Sequence, residues 1–134
     1  MLLHGSCHCG KVRYELTGPV NRFTICHCTD CRKNNGTAFS ANLVAASSGF
    51  KITAGEDQLA NYESSAGKFR CFCKHCGTHL YARMNFRPEI VIVRAGTLDD
   101  DPDIKPQNHI WVSVKAPWHD ITDSLPQFAE GFKG

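Results

Sequence analysis

The sequence predicts a mainly β protein gathered around clustered cysteines. Three observations carry that expectation. Short runs of alternating polar and apolar residues recur along the 134 residues, separated by glycine, proline and asparagine. No stretch sustains the 3.6-residue apolar period of an amphipathic helix. The eight cysteines are bunched, as Cys7 and Cys9, as Cys26, Cys28 and Cys31, and as Cys71, Cys73 and Cys76.

The length suits one domain over residues 1–134, long enough to bury a core. A hydrophobic share of 42% and a net charge of +2 are those of an ordinary globular chain. They argue against a strongly electrostatic partner such as bulk DNA, though not against a small anion. There is no basic run and no basic–aromatic interleaving of the kind that binds nucleic acid strands. No segment is apolar over the length of a membrane span. Residues 1–5 do not open a signal peptide. The expected setting is therefore cytoplasmic, with thiols kept reduced. A disulfide framework is the weaker reading of the even cysteine count, because C-x-C and C-x-x-C spacings favour chelation.

Residues 11–16 alternate as a half-buried strand ended by Gly18-Pro19. Cys7 and Cys9 precede it. In an extended segment both would point to one face, with Gly10 turning the chain away. Residues 22–25 form a second strand leading into Cys26-His27-Cys28-Thr29-Asp30-Cys31. One helical turn is expected over 30–34, then a tight turn at Asn35-Gly36 and a strand over 37–44. Residues 50–53 and 59–62 are short strands joined by Gly55-Glu56-Asp57. Residues 68–72 and 79–83 flank the Cys73/Cys76 knuckle as a hairpin would. Residues 89–93 are apolar enough to be a central strand. An acidic loop over 98–106, a last strand at 109–112 and a loose tail complete the chain.

Three thiols within six residues repel one another unless a soft cation neutralises them, and Zn²⁺ does so well. Three sulfurs are one short of a closed tetrahedral set, and an open position is the mark of a catalytic zinc. Cys7, Cys9, Cys73 and Cys76 can supply a closed four-thiolate set, although spacing alone allows Cys26 and Cys28 to partner Cys7 and Cys9 instead.

Three stretches together, Gly5-Ser6-Cys7-His8-Cys9-Gly10-Lys11-Val12, Cys26-His27-Cys28-Thr29-Asp30-Cys31-Arg32 and Phe72-Cys73-Lys74-His75-Cys76-Gly77, resemble the glutathione-dependent formaldehyde-activating enzyme family. The centromere protein V-like domain belongs to the same family. Weaker similarity continues through Ala95-Gly96-Thr97-Leu98-Asp99 and through His109-Ile110-Trp111-Val112 to Ala116-Pro117-Trp118. The resemblance implies a Mss4-like fold of several small curled antiparallel sheets around zinc knuckles. It implies two Zn²⁺ per chain: a structural ion on Cys7, Cys9, Cys73 and Cys76, and a catalytic ion on Cys26, Cys28 and Cys31. It implies carbon–sulfur lyase chemistry on a thiol adduct of a small aldehyde, such as S-hydroxymethylglutathione.

Three bound thiolates weaken the metal as a Lewis acid, so thiolate capture is favoured over strong carbonyl activation. The competing reading is a non-catalytic zinc module for protein or nucleic-acid interaction. Around the motifs, Cys71 is expected as a buried apolar residue. His27, His75 and His79 are expected beside the sites or on the surface rather than as ligands. His109 and Asp30 are candidates for proton transfer. Arg32, Lys33 and Arg70 could meet the carboxylates of a glutathione-like substrate, or be solvated surface charges.

Overall fold

In the computed structural model, which describes residues 1–131, ten strands form two sheets. In chain order these are β1 (Leu2–Ser6), β2 (Arg13–Thr17), β3 (Val20–Cys26), β4 (Ser40–Ala46), β5 (Phe50–Ala54), β6 (Leu59–Ser65), β7 (Lys68–Cys73), β8 (His79–Met84), β9 (Ile90–Arg94) and β10 (Asn108–Ile110), with one helix, α1 (Thr29–Asn35), between β3 and β4. The smaller sheet has the order β1-β2-β5 and the larger β10-β3-β4-β9-β8-β7-β6. The mainly β class is as expected, and the larger sheet runs unbroken through seven strands. All strand pairs are antiparallel except β10 with β3. No helix among the described residues is long and apolar enough to cross a membrane.

The core lies between the sheets. Leu3, Tyr14 and Leu16 of the smaller sheet meet Phe23, Leu43, Ala45, Leu80, Val91 and Val93 of the larger. The apolar run over 89–93 is β9, fourth of the seven strands and covered on both sides, as its composition requires. β1 was not foreseen. Its inward residues are Leu3 and Gly5, and Gly5 contributes no apolar side chain. Glycine is needed there for another reason: a Cβ would lie 2.1 Å from the Tyr14 ring. Tyr14 fills that gap, and its hydroxyl bonds Thr97 Oγ1 at 2.6 Å.

Other local expectations change. Residues 7–10 form a turn rather than an extended segment, closed by Gly10 N–H donating to the Cys7 carbonyl at 3.0 Å. The turn expected at Asn35-Gly36 is present, and it ends α1. Gly36 caps α1 in the left-handed conformation and donates to the Arg32 carbonyl. The strand expected over 37–44 begins at Ser40. The last strand covers 108–110 rather than 109–112. Nor is the C-terminal segment loose: it runs beside β10, with Phe128 N–H donating to the His109 carbonyl and Val112 N–H to the Phe128 carbonyl.

The two faces of the larger sheet differ. Residues directly opposite one another across paired strands share a face. Cys26 lies opposite Ser40 and Ile110, Thr24 opposite Asn42 and Asn108, and Asn42 opposite Arg94. Arg70 lies opposite Ala82, which lies opposite Ile92, two residues before Arg94. One face therefore carries the apolar core, while the other carries Cys26, Thr24, Ser40, Asn42, Arg70, Arg94 and Asn108. All seven are buried.

Candidate metal centres

The Cys7/Cys9 and Cys73/Cys76 knuckles are built alike. Each ends in a glycine with positive φ, Gly10 at 79° and Gly77 at 82°. In each, that glycine's N–H donates to the carbonyl of the first cysteine, at 3.0 and 2.7 Å respectively. A side chain at either glycine would strain the turn. The knuckles meet where His8 N–H donates to Thr78 Oγ1 at 3.1 Å.

Four sulfurs converge there. The Sγ atoms of Cys7, Cys9, Cys73 and Cys76 lie within 4.8 Å of one another. Cys9 Sγ is 3.5 Å from Cys7 Sγ and 3.9 Å from Cys73 Sγ. A tetrahedral zinc with Zn–S bonds near 2.3 Å separates its sulfurs by about 3.8 Å, so the donor set fits that ion. Val12 N–H donates to Cys7 Sγ, and the Thr78 hydroxyl lies 3.2 Å from Cys76 Sγ. The Thr78 contact holds the Cys76 thiol down to about 5, favouring the thiolate that a metal takes. All eight cysteines are free thiols.

The second group is Cys26, Cys28 and Cys31, whose sulfurs also lie within 4.8 Å of one another. Cys26 ends β3, and Cys28 and Cys31 span the first turn of α1. Cys28 is the N-cap, its Sγ accepting from Cys31 N–H at 3.3 Å. The capping bond that usually goes to a serine or aspartate oxygen goes here to a sulfur. No further histidine, cysteine or carboxylate joins the group among the described residues. The set is one ligand short of a closed tetrahedron.

Arginines stand behind these sulfurs. Arg70, only 1% exposed, places Nη1 3.8 Å from Cys31 Sγ and donates through Nε to Ser64 Oγ at 2.9 Å. Arg94, 6% exposed, donates through Nη1 to Ser40 Oγ at 3.0 Å and to Asn42 Oδ1. Among the described residues no carboxylate pairs with either, and the Arg94 Nε has no partner. The Cys31 thiol is held well below the usual range, first by its contacts with Cys26 and Cys28, then by the Arg94 and Arg70 charges. Lys68, two residues before Arg70 on β7, is lowered by burial.

A histidine chain leads away from the same loop. His27, fully buried between Cys26 and Cys28 in sequence, has Nε2 2.9 Å from His109 Nδ1. His109 Nε2 in turn lies 3.0 Å from Asp123 Oδ2. An ionised carboxylate only accepts, so His109 donates from Nε2, and with a neutral His109 ring its Nδ1 accepts from His27 Nε2–H. That leaves His27 Nδ1 as a bare lone pair, and it is buried without a partner. Burial lowers His27 to about 4, so the ring stays neutral.

The residues singled out in the sequence divide accordingly. Cys71 is fully buried outside both sulfur groups, as expected of an apolar filler. His75 is exposed and His79 half-buried beside the knuckle, stacked on Phe72. Asp30 is exposed in the first turn of α1. His109 faces His27 and Asp123. Arg32 and Lys33 line a pocket of about 250 Å³ with Thr29, Thr37 and Trp118. Arg70 is not a surface charge, because it is buried against Cys31.

Sequence reasoning missed Arg94, Ser40, Asn42, Asn108, Thr24 and Asp123. One signal was available: Arg94 ends the most apolar strand of the chain, where a charge needs a reason. Leaving out the exposed Asp123, these residues with Arg70, His27 and His109 are the eight buried polar or charged residues among those described, and they lie on the Cys26 face of the larger sheet or in its histidine chain.

Fold and sulfurs together define a small β protein with two thiol groups that could hold metal ions. The chain belongs to the glutathione-dependent formaldehyde-activating enzyme family, whose model matches residues 2–114. A Halomonas elongata protein bearing that family's name is 31% identical over 129 residues, covering 90% of this chain and 82% of the relative. A relative from Emericella nidulans bearing the same name is 39% identical over 80 residues, 58% of this chain and 41% of its own length. A crystal structure of a Rhodobacter sphaeroides protein shares the fold, with a TM-score of 0.62 over 75% of this chain and 91% of its own, at 24% identity.

Proposed function

We propose that this protein joins a glutathione-like thiol to formaldehyde and catalyses the reverse carbon–sulfur cleavage, at the Cys26, Cys28 and Cys31 site. One observation carries the reading. A three-sulfur group, one ligand short of closure, sits beside the sheet face that gathers the buried polar side chains among the described residues. A scaffold needs closed sites for its fold and has no use for two buried arginines without carboxylates. That weighs against the interaction-module reading.

The reaction is an addition without redox change. The thiol sulfur bonds the aldehyde carbon, the C=O π bond breaks, and the thiol proton ends on oxygen as the hydroxyl. Cleavage reverses each change. Cys26, Cys28 and Cys31 would hold a catalytic Zn²⁺, and Cys7, Cys9, Cys73 and Cys76 a structural one. When bound, the catalytic ion supplies a cationic centre that favours a substrate thiol as its thiolate.

The remaining roles fall to the chain. Arg70 and Arg94 place positive charge behind the sulfurs, offsetting the weak acidity of a metal with three thiolates. Asp123 and His109 fix the His27 ring and thereby the loop that carries Cys26 and Cys28. Arg32 and Lys33, beside Trp118, offer cations to substrate carboxylates in the pocket next to α1. Holding thiol and aldehyde together removes much of the entropy cost of addition.

The test is a panel. Metal-replete protein is mixed with formaldehyde and glutathione, cysteine or 2-mercaptoethanol, and exchange between free thiol and adduct is followed by NMR. Faster exchange with glutathione than with the other two supports the reading. No acceleration with any thiol would sink it.

A further inference from the structure

We infer that Arg70 and Arg94 set the ligand preference of the open position at Cys26, Cys28 and Cys31, making it select an anion over a neutral ligand. The inference deepens the proposed function and rests on its placement of a metal at these three sulfurs.

The argument is one of charge. Three thiolates and a divalent cation together carry one negative charge. Two buried guanidinium groups, always protonated, turn this into one positive charge. No carboxylate among the described residues cancels it. Burying an uncompensated cation is costly, and the cost falls when an anion arrives. A thiolate at the open position brings the sulfurs, the metal and the two guanidinium groups together to neutrality, whereas water, a neutral amine or an aldehyde oxygen does not.

The geometry places both charges against the three-sulfur group. Arg70 Nη1 is 3.8 Å from Cys31 Sγ. Arg94 is bonded to Ser40, the residue directly opposite Cys26. Ser40 and Asn42 can each offer only an oxygen acceptor or a neutral donor, so they orient the Arg94 guanidinium without neutralising it. Arg94, Ser40 and His79 line a cleft of about 430 Å³ that also reaches Asn34 and Asn35 of α1 and Thr78 of the Cys73/Cys76 knuckle, so the Arg94 side of the cluster opens on a cavity. The buried Arg94 Nε, without a partner, marks unused donor capacity there.

The pattern also accounts for a choice of residue. Arginine keeps its charge when buried, whereas lysine readily loses it. Arg70, which touches Cys31, and Arg94, which is bonded to the residue opposite Cys26, are both arginines.

The experiment uses full-length protein with both sites loaded with cobalt(II), whose visible absorption reports its ligands. Thiocyanate, an anion that is no substrate, and imidazole, a neutral ligand, are titrated separately. The native protein should bind thiocyanate at least tenfold more tightly than imidazole. Arg94→Gln and Arg70→Gln should each weaken thiocyanate by about tenfold or more and leave imidazole within about twofold, while two cobalt ions per chain remain bound. Arg94→Lys and Arg70→Lys should recover part of the loss. Native protein that binds imidazole as well as thiocyanate overturns the inference, and that result does not depend on any variant folding. So do folded glutamine variants with unchanged thiocyanate affinity. Retention of a single cobalt would instead remove the metal from Cys26, Cys28 and Cys31, and with it the proposed function. Loss of thiol–formaldehyde exchange with anion selectivity intact would count against the proposed reaction alone.

Discussion

His27 Nε2 and His109 Nδ1 meet at 2.9 Å, and this contact ties the Cys26–Cys28 loop to the C-terminal part of the chain. His109→Ala leaves His27 with both ring nitrogens buried and unpaired. A buried polar group without its partner costs about 1–3 kcal/mol. The melting temperature should fall accordingly, and the central metal should become easier to remove. Asp123→Asn should have a smaller effect, since that side chain is half exposed. Asp123 is held below the usual carboxylate range, first by the Leu125 N–H and then by His109. A lowered carboxylate stabilises the fold above its unfolded pKa, and the contribution is lost as pH falls through its folded value. The gap in melting temperature between native protein and Asp123→Asn should therefore narrow in acid. A constant gap from neutral pH downward would contradict this.

Gly5 exists to admit Tyr14. Its substitution by alanine would put a methyl group 2.1 Å from Tyr14 Cζ. Overpacking of this kind costs about 1–3 kcal/mol. Thermal melts should show Gly5→Ala destabilised, and adding Tyr14→Leu should restore part of the loss by vacating the contact. If Gly5→Ala melts like the native protein, β1 does not lie on β2 as described.

Metal removal should proceed in two stages. A chelator should first take an ion from the three-sulfur group, leaving circular dichroism unchanged, and then one from the four-sulfur group, with unfolding. The knuckles join segments 64 residues apart through Cys9 and Cys73. Structural zinc contributes on the order of 10 kcal/mol of apparent binding energy in small zinc domains. Cys76→Ser should accordingly abolish soluble folded protein. A Cys76→Ser protein with unchanged melting temperature would contradict the closed site.

Much of this was legible before the structure, and the residues show why. Sulfur groups announce themselves because C-x-C and C-x-x-C spacings have few other uses in a reduced chain. β9 was readable as central because a strand covered on both faces must be continuously apolar. What escaped were contributions that exist only after folding. The Gly5 position is set by a ring nine residues away. β10 joins β3 in parallel across 84 residues, as in the pairing of Asn108 with Thr24, which no local pattern signals. Arg70 was read as a substrate-facing or solvated charge because alternation on β7 says which residues share a face, but not that Cys31 of α1 lies against it. Arg94 and Asn42 lie opposite one another, and neither is informative alone.

The central claim is that carbon–sulfur chemistry occurs at Cys26, Cys28 and Cys31 while the other sulfurs hold the fold. Exchange NMR of S-hydroxymethylglutathione on native protein and Cys31→Ser, each with metal content and a thermal melt, tests it most directly. Serine is nearly isosteric with cysteine but a far poorer zinc ligand. The account predicts accelerated exchange with native protein. Cys31→Ser should show the uncatalysed rate, one metal ion fewer, and a melt only a few degrees lower. Full exchange by a normally folded Cys31→Ser protein would contradict it.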